Sequence, residues 1–411
     1  MKFLAAATAL AGLAVRGVTA QEDGGSSSSM LNATALVSAL RTNNLNMLAN
    51  VVGNNSQALL PYLMGSGNKS IFAPQDSAFQ SAGQLPTGNA LTNLIAYHIV
   101  NGTIPDELND DGHTIVLSSL KQSSLANNRS QAIVLGGAMN GGNNDDDDND
   151  NNNMARIIQP SQNITFSTEP VRYQNIAVYP IPNVLTVPNN ITAVAQALNA
   201  TMLSTLLNQT NLVEPLSMAG RLTVFAPTDA AIQSVQSQIM SANMTAQQNV
   251  LANHIINGTI VYSTQLGDDD NQVNQATSGS GQMLMFSTDD DRYQVRSGDV
   301  TANIIRSDNL LNNGVLHVID AVLLNTASND QAAASAASSA SGVAATQTSV
   351  PGVSGNSGTQ PDDSAGGGEG DDDSNDSDND NANGGNAAGS LTVASVGFVS
   401  AAILAGFAIV I

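Results

Sequence analysis

The side chains able to move a proton or hold a metal are few in this chain: His98, His113, His254 and His317 are the whole histidine complement, and there is no cysteine. An imidazole beside a carboxylate could serve as a general base or bind a metal ion. The spacing points to neither. There is no His-x-x-x-His pair and no Gly-x-Ser-x-Gly elbow, and chemistry that needs a thiol is excluded. A hydrolase assembled from Asp, His and Ser residues distant in sequence is the remaining enzymatic alternative, and a pocket joining an acid to a histidine would reveal it. His98 and His254 instead fall on the apolar face of a helical pattern, which reads as a core histidine with satisfied nitrogens. No catalytic residue is therefore assigned.

The acids are numerous, and the formal charge is −22. Most of the excess lies in runs at 145–150, 268–270, 289–291 and 362–380, all set among Asn, Ser and Gly. None of these runs keeps the alternating oxygen ligands, central glycine and closing glutamate of a calcium loop, so they read as solvated spacers, with no metal and no cofactor expected. Only 12 Lys and Arg are present, which argues against nucleic acid as a partner.

The elements that must position these residues are written twice. Lys69-Ser-Ile-Phe-Ala-Pro-Gln-Asp-Ser-Ala-Phe79 returns as Leu222-Thr-Val-Phe-Ala-Pro-Thr-Asp-Ala-Ala-Ile232, and Ala96-Tyr-His-Ile-Val-Asn-Gly-Thr-Ile104 returns as Ala252-Asn-His-Ile-Ile-Asn-Gly-Thr-Ile260. A spacing of roughly 150 residues is that of whole domains in tandem and not of a solenoid. Leu36, Leu40, Leu45 and Leu48 match Val194, Leu198, Leu203 and Leu206 at an offset of 158. The offset falls from 156 at His98 to 138 at Val178, which leaves 18 additional residues in the first copy, where the Asn- and Asp-rich run 140–153 reads as a disordered surface insert.

Within each copy the leucine series predicts paired amphipathic helices. Leu91, Leu94, Ile95, His98 and Ile99 continue the helical period, with Asn101-Gly102 as the stop; an Asn-Gly hairpin is the competing reading. Strand patterns follow at 131–135, 164–167, 283–287 and 315–319. Helices first and strands later predict an α+β module with a largely segregated sheet. In Phe72-Ala-Pro74-x-Asp76 and Phe225-Ala-Pro227-x-Asp229, proline fixes the chain before a helix and the aspartate is placed to cap it. Where the second copy has His317-Val-Ile-Asp320 the first has Tyr179-Pro-Ile-Pro182, which predicts a looser closing strand there.

These motifs, together with Asn313-Gly-Val-Leu-His-Val-Ile-Asp-Ala-Val-Leu323, resemble the two boxes and the central His motif of fasciclin-like domains, over Met30 to Pro188 and Asn189 to Asn325. The resemblance implies two tandem domains, each with N-terminal helices and a sheet wedge, in a protein of cell adhesion or matrix contact. It also implies receptor contact near Tyr97-His98, with Asn253-His254 as the second-copy counterpart. The expected partners are cell-surface or matrix proteins or wall polysaccharide, with a secretory-pathway or vacuolar role in turnover as the alternative.

Both ends read as processing signals. Residues 1–20 form a signal peptide with a charged start, an apolar core and Val18-Thr-Ala20 before the cut. Domains at 30–188 and 189–326 precede a low-complexity acidic stalk at 327–390, expected to be disordered. Residues 391–411 form a charge-free tail read as a glycolipid-anchor signal, with Asn383 as the attachment residue and Asn381 and Asn386 as alternatives. Twelve Asn-x-Ser/Thr sequons, at Asn32, Asn54, Asn68, Asn101, Asn128, Asn163, Asn190, Asn199, Asn208, Asn243, Asn257 and Asn375, predict heavy N-glycosylation of a membrane-anchored surface protein.

Overall fold

The computed structural model describes residues 33–63, 67–105, 108, 112–125, 128–137, 154–267, 272–289 and 292–346. The segments read as a signal peptide at 1–20, an insert at 140–153 and an anchor tail at 391–411, together with Asn32, Asn375 and Asn383, lie outside the described residues.

The first unit runs α1 (Ala33–Thr42), α2 (Asn46–Asn54), α3 (Ser56–Leu63), β1 (Lys69–Pro74), α4 (Asp76–Ala82), α5 (Asn89–Tyr97) and β2 (Ile99–Asn101). It continues with β3 (His113–Lys121), β4 (Ser130–Gly137), β5 (Met154–Ile158), β6 (Asn163–Ser167), β7 (Val171–Tyr173) and β8 (Ile176–Ile181). The second unit runs α6 (Ile191–Ala197), α7 (Thr201–Gln209), α8 (Val213–Met218), β9 (Leu222–Pro227), α9 (Asp229–Ser234), α10 (Gln236–Ser241), α11 (Met244–Asn253) and β10 (Ile255–Asn257). After it come β11 (Gln275–Thr277), β12 (Met283–Asp289), β13 (Arg292–Ser297), β14 (Val300–Leu311), β15 (Gly314–Ile319) and α12 (Asp330–Thr346). The α+β reading holds, as do the four expected strands. One strand of each unit, β1 or β9, is threaded among the helices and was not foreseen.

That strand organises each unit. β1 pairs antiparallel with β2 and parallel with β8, and β9 does the same with β10 and β15. All six residues of β1 and of β9 are buried, because alternate side chains enter different cores. Ile71 and Ala73 face the helices with Leu36, Leu45 and Leu59, whereas Phe72 packs with Phe166 and Tyr179 inside the sheet. Val224 and Phe225 divide in the same way.

The two sheets are one circuit cut at different places. The first unit's order is β6-β5-β4-β3-β2-β1-β8-β7 and the second's is β10-β9-β15-β14-β13-β12-β11. At the offset of 138, β14 corresponds to β6 and β7 joined end to end. Pro170 stands at the break in the first copy and Asp308 at the same place in the second, inside a register irregularity of β14 and with φ of 57°.

Three expectations need correction. Matching bonds between the helices show Leu45 aligned with Ala200 and Met47 with Met202, since Leu45 N–H bonds Leu40 C=O as Ala200 N–H bonds Ala195 C=O, and Met47 N–H bonds Asp76 as Met202 N–H bonds Asp229. The helical offset is therefore 155 and not 158. Residues i and i+3 share a helix face, so a leucine pattern fits almost equally well three residues out of place. Asn101-Gly102 is not the helix stop: α5 ends at Tyr97, and a three-residue strand intervenes before Gly102 turns the chain with φ of 119°. The closing strand of the first unit is no looser, since β8 pairs with β1 over six residues as β15 does with β9. Lys69 and Gln75 donate to Asn175 and Ile181, so odd-numbered carbonyls of this segment face β1. Pro180 points away from β1 and lies beyond the last β7 pair at Val178, so its missing N–H costs no ladder bond.

Part of the segment expected to be a disordered stalk is helical. Residues 330–346 form α12, whose first turn is capped by Asn329, its Oδ1 accepting from Ala332 N–H at 3.0 Å. Ala333, Ala336 and Ala340 are buried on one face. A run without large apolar residues gives no hydrophobic signal, yet alanine has the best helix propensity and lets a helix approach closely. Asn329 N–H donates to Ser280 C=O at 2.8 Å, and a Cβ on Gly281, whose φ is +78°, would collide with the Asn329 carbonyl. Gly281→Val and Ala333→Asp are accordingly expected to undock α12. Limited proteolysis should then cleave within 330–346 while the rest of the second unit stays resistant; cleavage no faster than in the parent chain would mean the docking is immaterial.

Candidate functional site at the helix ends and the domain interface

The two helix histidines are structural bridges. His98 and His254 are 1% and 2% exposed. Nδ1 of each lies 2.7 Å from the carbonyl four residues back, Leu94 or Val250, and Nε2 accepts the backbone N–H of Leu185 at 3.0 Å or Leu323 at 2.9 Å. An acceptor at Nε2 and a donor at Nδ1 define a neutral imidazole. Burial pushes both down to about 4, against the opposing pull of the Leu94 and Val250 carbonyls. Each ring thereby ties the end of α5 or α11 to the segment that follows β8 or β15.

Their neighbours are equally internal. Tyr97 is buried, its hydroxyl donating to Ala132 C=O at 3.2 Å, and burial raises its pKa. Asn253 is fully buried, with Nδ2 donating to Ser297 Oγ at 2.9 Å and to Leu323 C=O at 3.0 Å. All four residues assigned to receptor contact are thus enclosed, and none can touch a partner without unfolding. The helical period that marks an apolar face carries no sign of whether a polar residue on it turns outward, and here it does not.

The aspartates of the Phe-Ala-Pro-x-Asp motifs cap a different helix from the one they start. Asp229 is the first residue of α9, whose cap is Thr228, with Oγ1 accepting from Ala231 N–H at 3.1 Å. Asp229 Oδ1 instead accepts Met202 N–H at 2.8 Å and Oδ2 accepts Thr201 Oγ–H at 2.6 Å, closing the N-terminus of α7. Asp76 does the same for α2 through Met47 N–H at 2.8 Å and Asn46 Nδ2 at 3.2 Å, while its own helix begins after Gln75 without a side-chain cap. The expected cap on the following helix is therefore replaced by one on the N-terminus of a helix earlier in the chain. Phe72 and Phe225 are fully buried, and Pro74 and Pro227 end β1 and β9. Asp320 holds Asn303 through its backbone N–H at 2.8 Å and Nδ2 at 2.7 Å, clasping β14 to the end of β15.

The acid and histidines that do come together lie where the two units meet. Ile115, Ala132, Val134 and Ile158 of the first unit form one buried cluster with Tyr262, Leu310 and Val315 of the second. Beside it Asp308, fully buried, accepts from Ser263 N–H at 2.8 Å, from the Ser263 hydroxyl, and from His113 Nδ1 at 2.7 Å across the interface. Burial alone would raise the Asp308 carboxyl; the hydrogen bonds from His113 and Ser263 and the nearby imidazoles outweigh it and hold it below the usual range. His317 stacks on Phe225 at 5.5 Å, its Nε2 2.9 Å from Val261 C=O and its Nδ1 accepting Asp308 N–H at 3.3 Å, and burial lowers its pKa.

This constellation resembles a catalytic triad only in composition. Ser263 and His113 both donate to the same carboxylate, so the histidine is not placed to take the serine proton, and Ser263 is 2% exposed. Its chemistry is that of a hydrogen-bonded staple between units, supported by Ser124 Oγ–H to Asn312 C=O at 2.7 Å and Gln131 Nε2–H to Leu311 C=O at 3.2 Å. Asp308 was missed because it lies outside every repeated motif. Its one mark in the sequence is that the other copy has Pro170 there. Among the described residues, no group of three or more His, Asp or Glu is placed to hold a metal ion.

The family model described as Fasciclin domain matches residues 198–325, within the second unit. The chain is 30% identical over 172 residues to a "Fasciclin-like arabinogalactan protein" of Arthroderma benhamiae, covering 42% of this chain and 38% of that one. It is 33% identical over 119 residues to "Protein sll1483" of Synechocystis, covering 28% of this chain and 61% of the relative. The chain thus spans less than two thirds of either relative. A solved FAS1 domain pair from the insect cell adhesion molecule Fasciclin I aligns with 69% of this chain and 98% of its own at 18% identity, with a TM-score of 0.34.

Two outcomes follow from the buried bridges. Asp229→Ala should destabilise the second unit by about 1–2 kcal/mol in urea unfolding, with Asp229→Asn, which keeps one acceptor oxygen, recovering part of the loss; an Ala variant as stable as the parent would remove the capping role. Because His98 and His254 titrate near 4 folded and near 6.5 unfolded, stability is complete above pH 6.5 and is lost progressively as pH falls toward 4. The slope is about 1.4 kcal/mol per pH unit for each imidazole. Urea midpoints between pH 7.5 and 4.5 measure it, and His254→Gln should make the fall shallower.

Proposed function

We propose that the chain is a cell-surface glycoprotein that mediates contact with other surfaces or matrix and performs no catalysis. The observation that carries this reading is that the duplicated fasciclin unit spends its motif residues internally. His98, His254 and His317 are each engaged at both ring nitrogens, and the acid that meets histidine is closed over by the interface. What remains for function is outer surface. The likeness to a fasciclin-like arabinogalactan protein supports this assignment.

Seven sequon asparagines, Asn54, Asn68, Asn128, Asn163, Asn199, Asn208 and Asn243, are exposed and able to carry glycans, whereas Asn257 is buried and is not open to modification in the folded protein. The leader at 1–20 and the charge-free segment 391–411 support export and glycolipid anchoring, with Asn383 as the attachment residue. No described helix is long and apolar enough to cross a membrane. On an anchored array, many weak contacts sum to a stable one through effective concentration.

Beads densely coated with the glycosylated chain are expected to bind cells or wall and matrix preparations. Binding should fall much more steeply than in proportion as coating density is lowered. Proportional or absent binding would sink the multivalent reading, and glycoside or ester turnover lost on changing Asp308 would sink the non-enzymatic one.

A further inference from the structure

The chain carries a net charge of −22 and only 12 Lys and Arg, yet three of the arginines line a single open cleft. Arg156 comes from β5 of the first unit, Arg292 from the start of β13 and Arg306 from β14 of the second, so the cleft exists only where the two units are joined. Its volume is about 560 Å³. That is within the roughly 300–1,000 Å³ of small-molecule sites.

Among the described residues the positive charge of the cleft has no ion-pair partner, no carboxylate pairing with any of the three guanidinium groups. Arg306 donates to the Gln159 carbonyl at 2.8 Å, which fixes its position across the interface without cancelling its charge. Arg156 lies over Gly136 with Nε and Nη1 buried and unpartnered, and a Cβ on Gly136 would stand 2.8 Å from that Nε. A glycine is what allows the arginine to lie there. Concentrating unpaired cations in a strongly acidic molecule raises its energy through desolvation and brings no internal partner, so the arrangement suits an external anion.

The rest of the lining narrows the chemistry. Tyr293 offers a half-buried aromatic ring, and Ser161, Gln162 and Ser307 offer hydroxyl and planar amide groups. An arginine fork matches a carboxylate in two parallel hydrogen bonds. Amides and hydroxyls match sugar hydroxyls, and an aromatic face accepts the C–H face of a sugar ring. We propose that this cleft between the two units binds a carboxylate-bearing oligosaccharide of the uronic acid type. The inference rests on the surface-contact reading above and gives that contact a chemical class of ligand.

The test is calorimetric titration of the full chain, stripped of N-glycans because the sequon Asn163 stands on the cleft wall, with a galacturonic acid tetramer. Neutral glucose tetramer and inorganic phosphate serve as comparison probes. Saturable binding of the acidic tetramer is expected, weakening as salt rises, with no binding of the neutral one and no displacement by equimolar phosphate. Arg292→Ala, exposed and remote from the interface bonds, and Gly136→Val, which displaces Arg156, should each weaken binding by about tenfold or more. The thermal transition of Arg292→Ala should match the parent, so that its loss is not one of folding. No binding, or binding unchanged in both variants, overturns the proposal, and equal competition by phosphate overturns its carbohydrate part. If coated beads still bind surfaces while the tetramer does not bind, the cleft assignment fails and the surface-contact reading stands.

Discussion

A neutral imidazole with both nitrogens engaged is the constraint on which each unit depends. A helix end exposes carbonyls, and a strand that has left its sheet exposes N–H groups; buried together without partners, they would cost on the order of 1–3 kcal/mol apiece. His98 and His254 answer one carbonyl and one N–H each, at distances between 2.7 and 3.0 Å. Histidine suits this position because it combines a donor and an acceptor on one rigid ring. The helical layer and the sheet can then meet without an orphaned polar group. The adjacent position is freer: Tyr97 reaches Ala132, whereas Asn253 satisfies Ser297 and Leu323, so the same place accepts two side chains provided each finds an internal partner.

Much of this architecture is legible in the sequence, for reasons that also explain the errors. The segments at 164–167 and 283–287 alternate between buried and outward residues, those at 131–135 and 315–319 are continuous buried runs, and all four lie within strands. β1 and β9 are buried on both faces, so Lys69–Pro74 and Leu222–Pro227 show no alternation to read. The aspartates advertise a cap, but sequence cannot say that Asp229 closes α7 when α9 follows it directly. Residues 330–346 failed for the opposite reason: alanine contributes helix propensity and close packing without hydrophobic contrast.

The site was less legible than the fold because it belongs to the difference between the copies. Repetition draws attention to what is shared, and what is shared here is the frame. Pro170 breaks one strand into β6 and β7; Asp308 at the same place leaves β14 continuous but irregular, with a left-handed residue whose carboxylate turns to Ser263 and across to His113. Left-handed backbone is tolerated by Asp better than by most residues. One divergent position therefore adds a buried carboxylate to a junction that an apolar cluster and several backbone-directed hydrogen bonds also hold.

That junction changes how the molecule presents itself. Two modules on a flexible linker would offer two separately oriented faces, and avidity could arise within one chain. Here a shared apolar cluster and a buried carboxylate make the pair a single body, with Arg306 bonded to Gln159 from one unit to the other. The cleft holding Arg156, Arg292 and Arg306 exists only in the joined form. Avidity must then come from many copies on a surface and not from the two units of one chain. The duplication has given the molecule a surface that neither unit has alone.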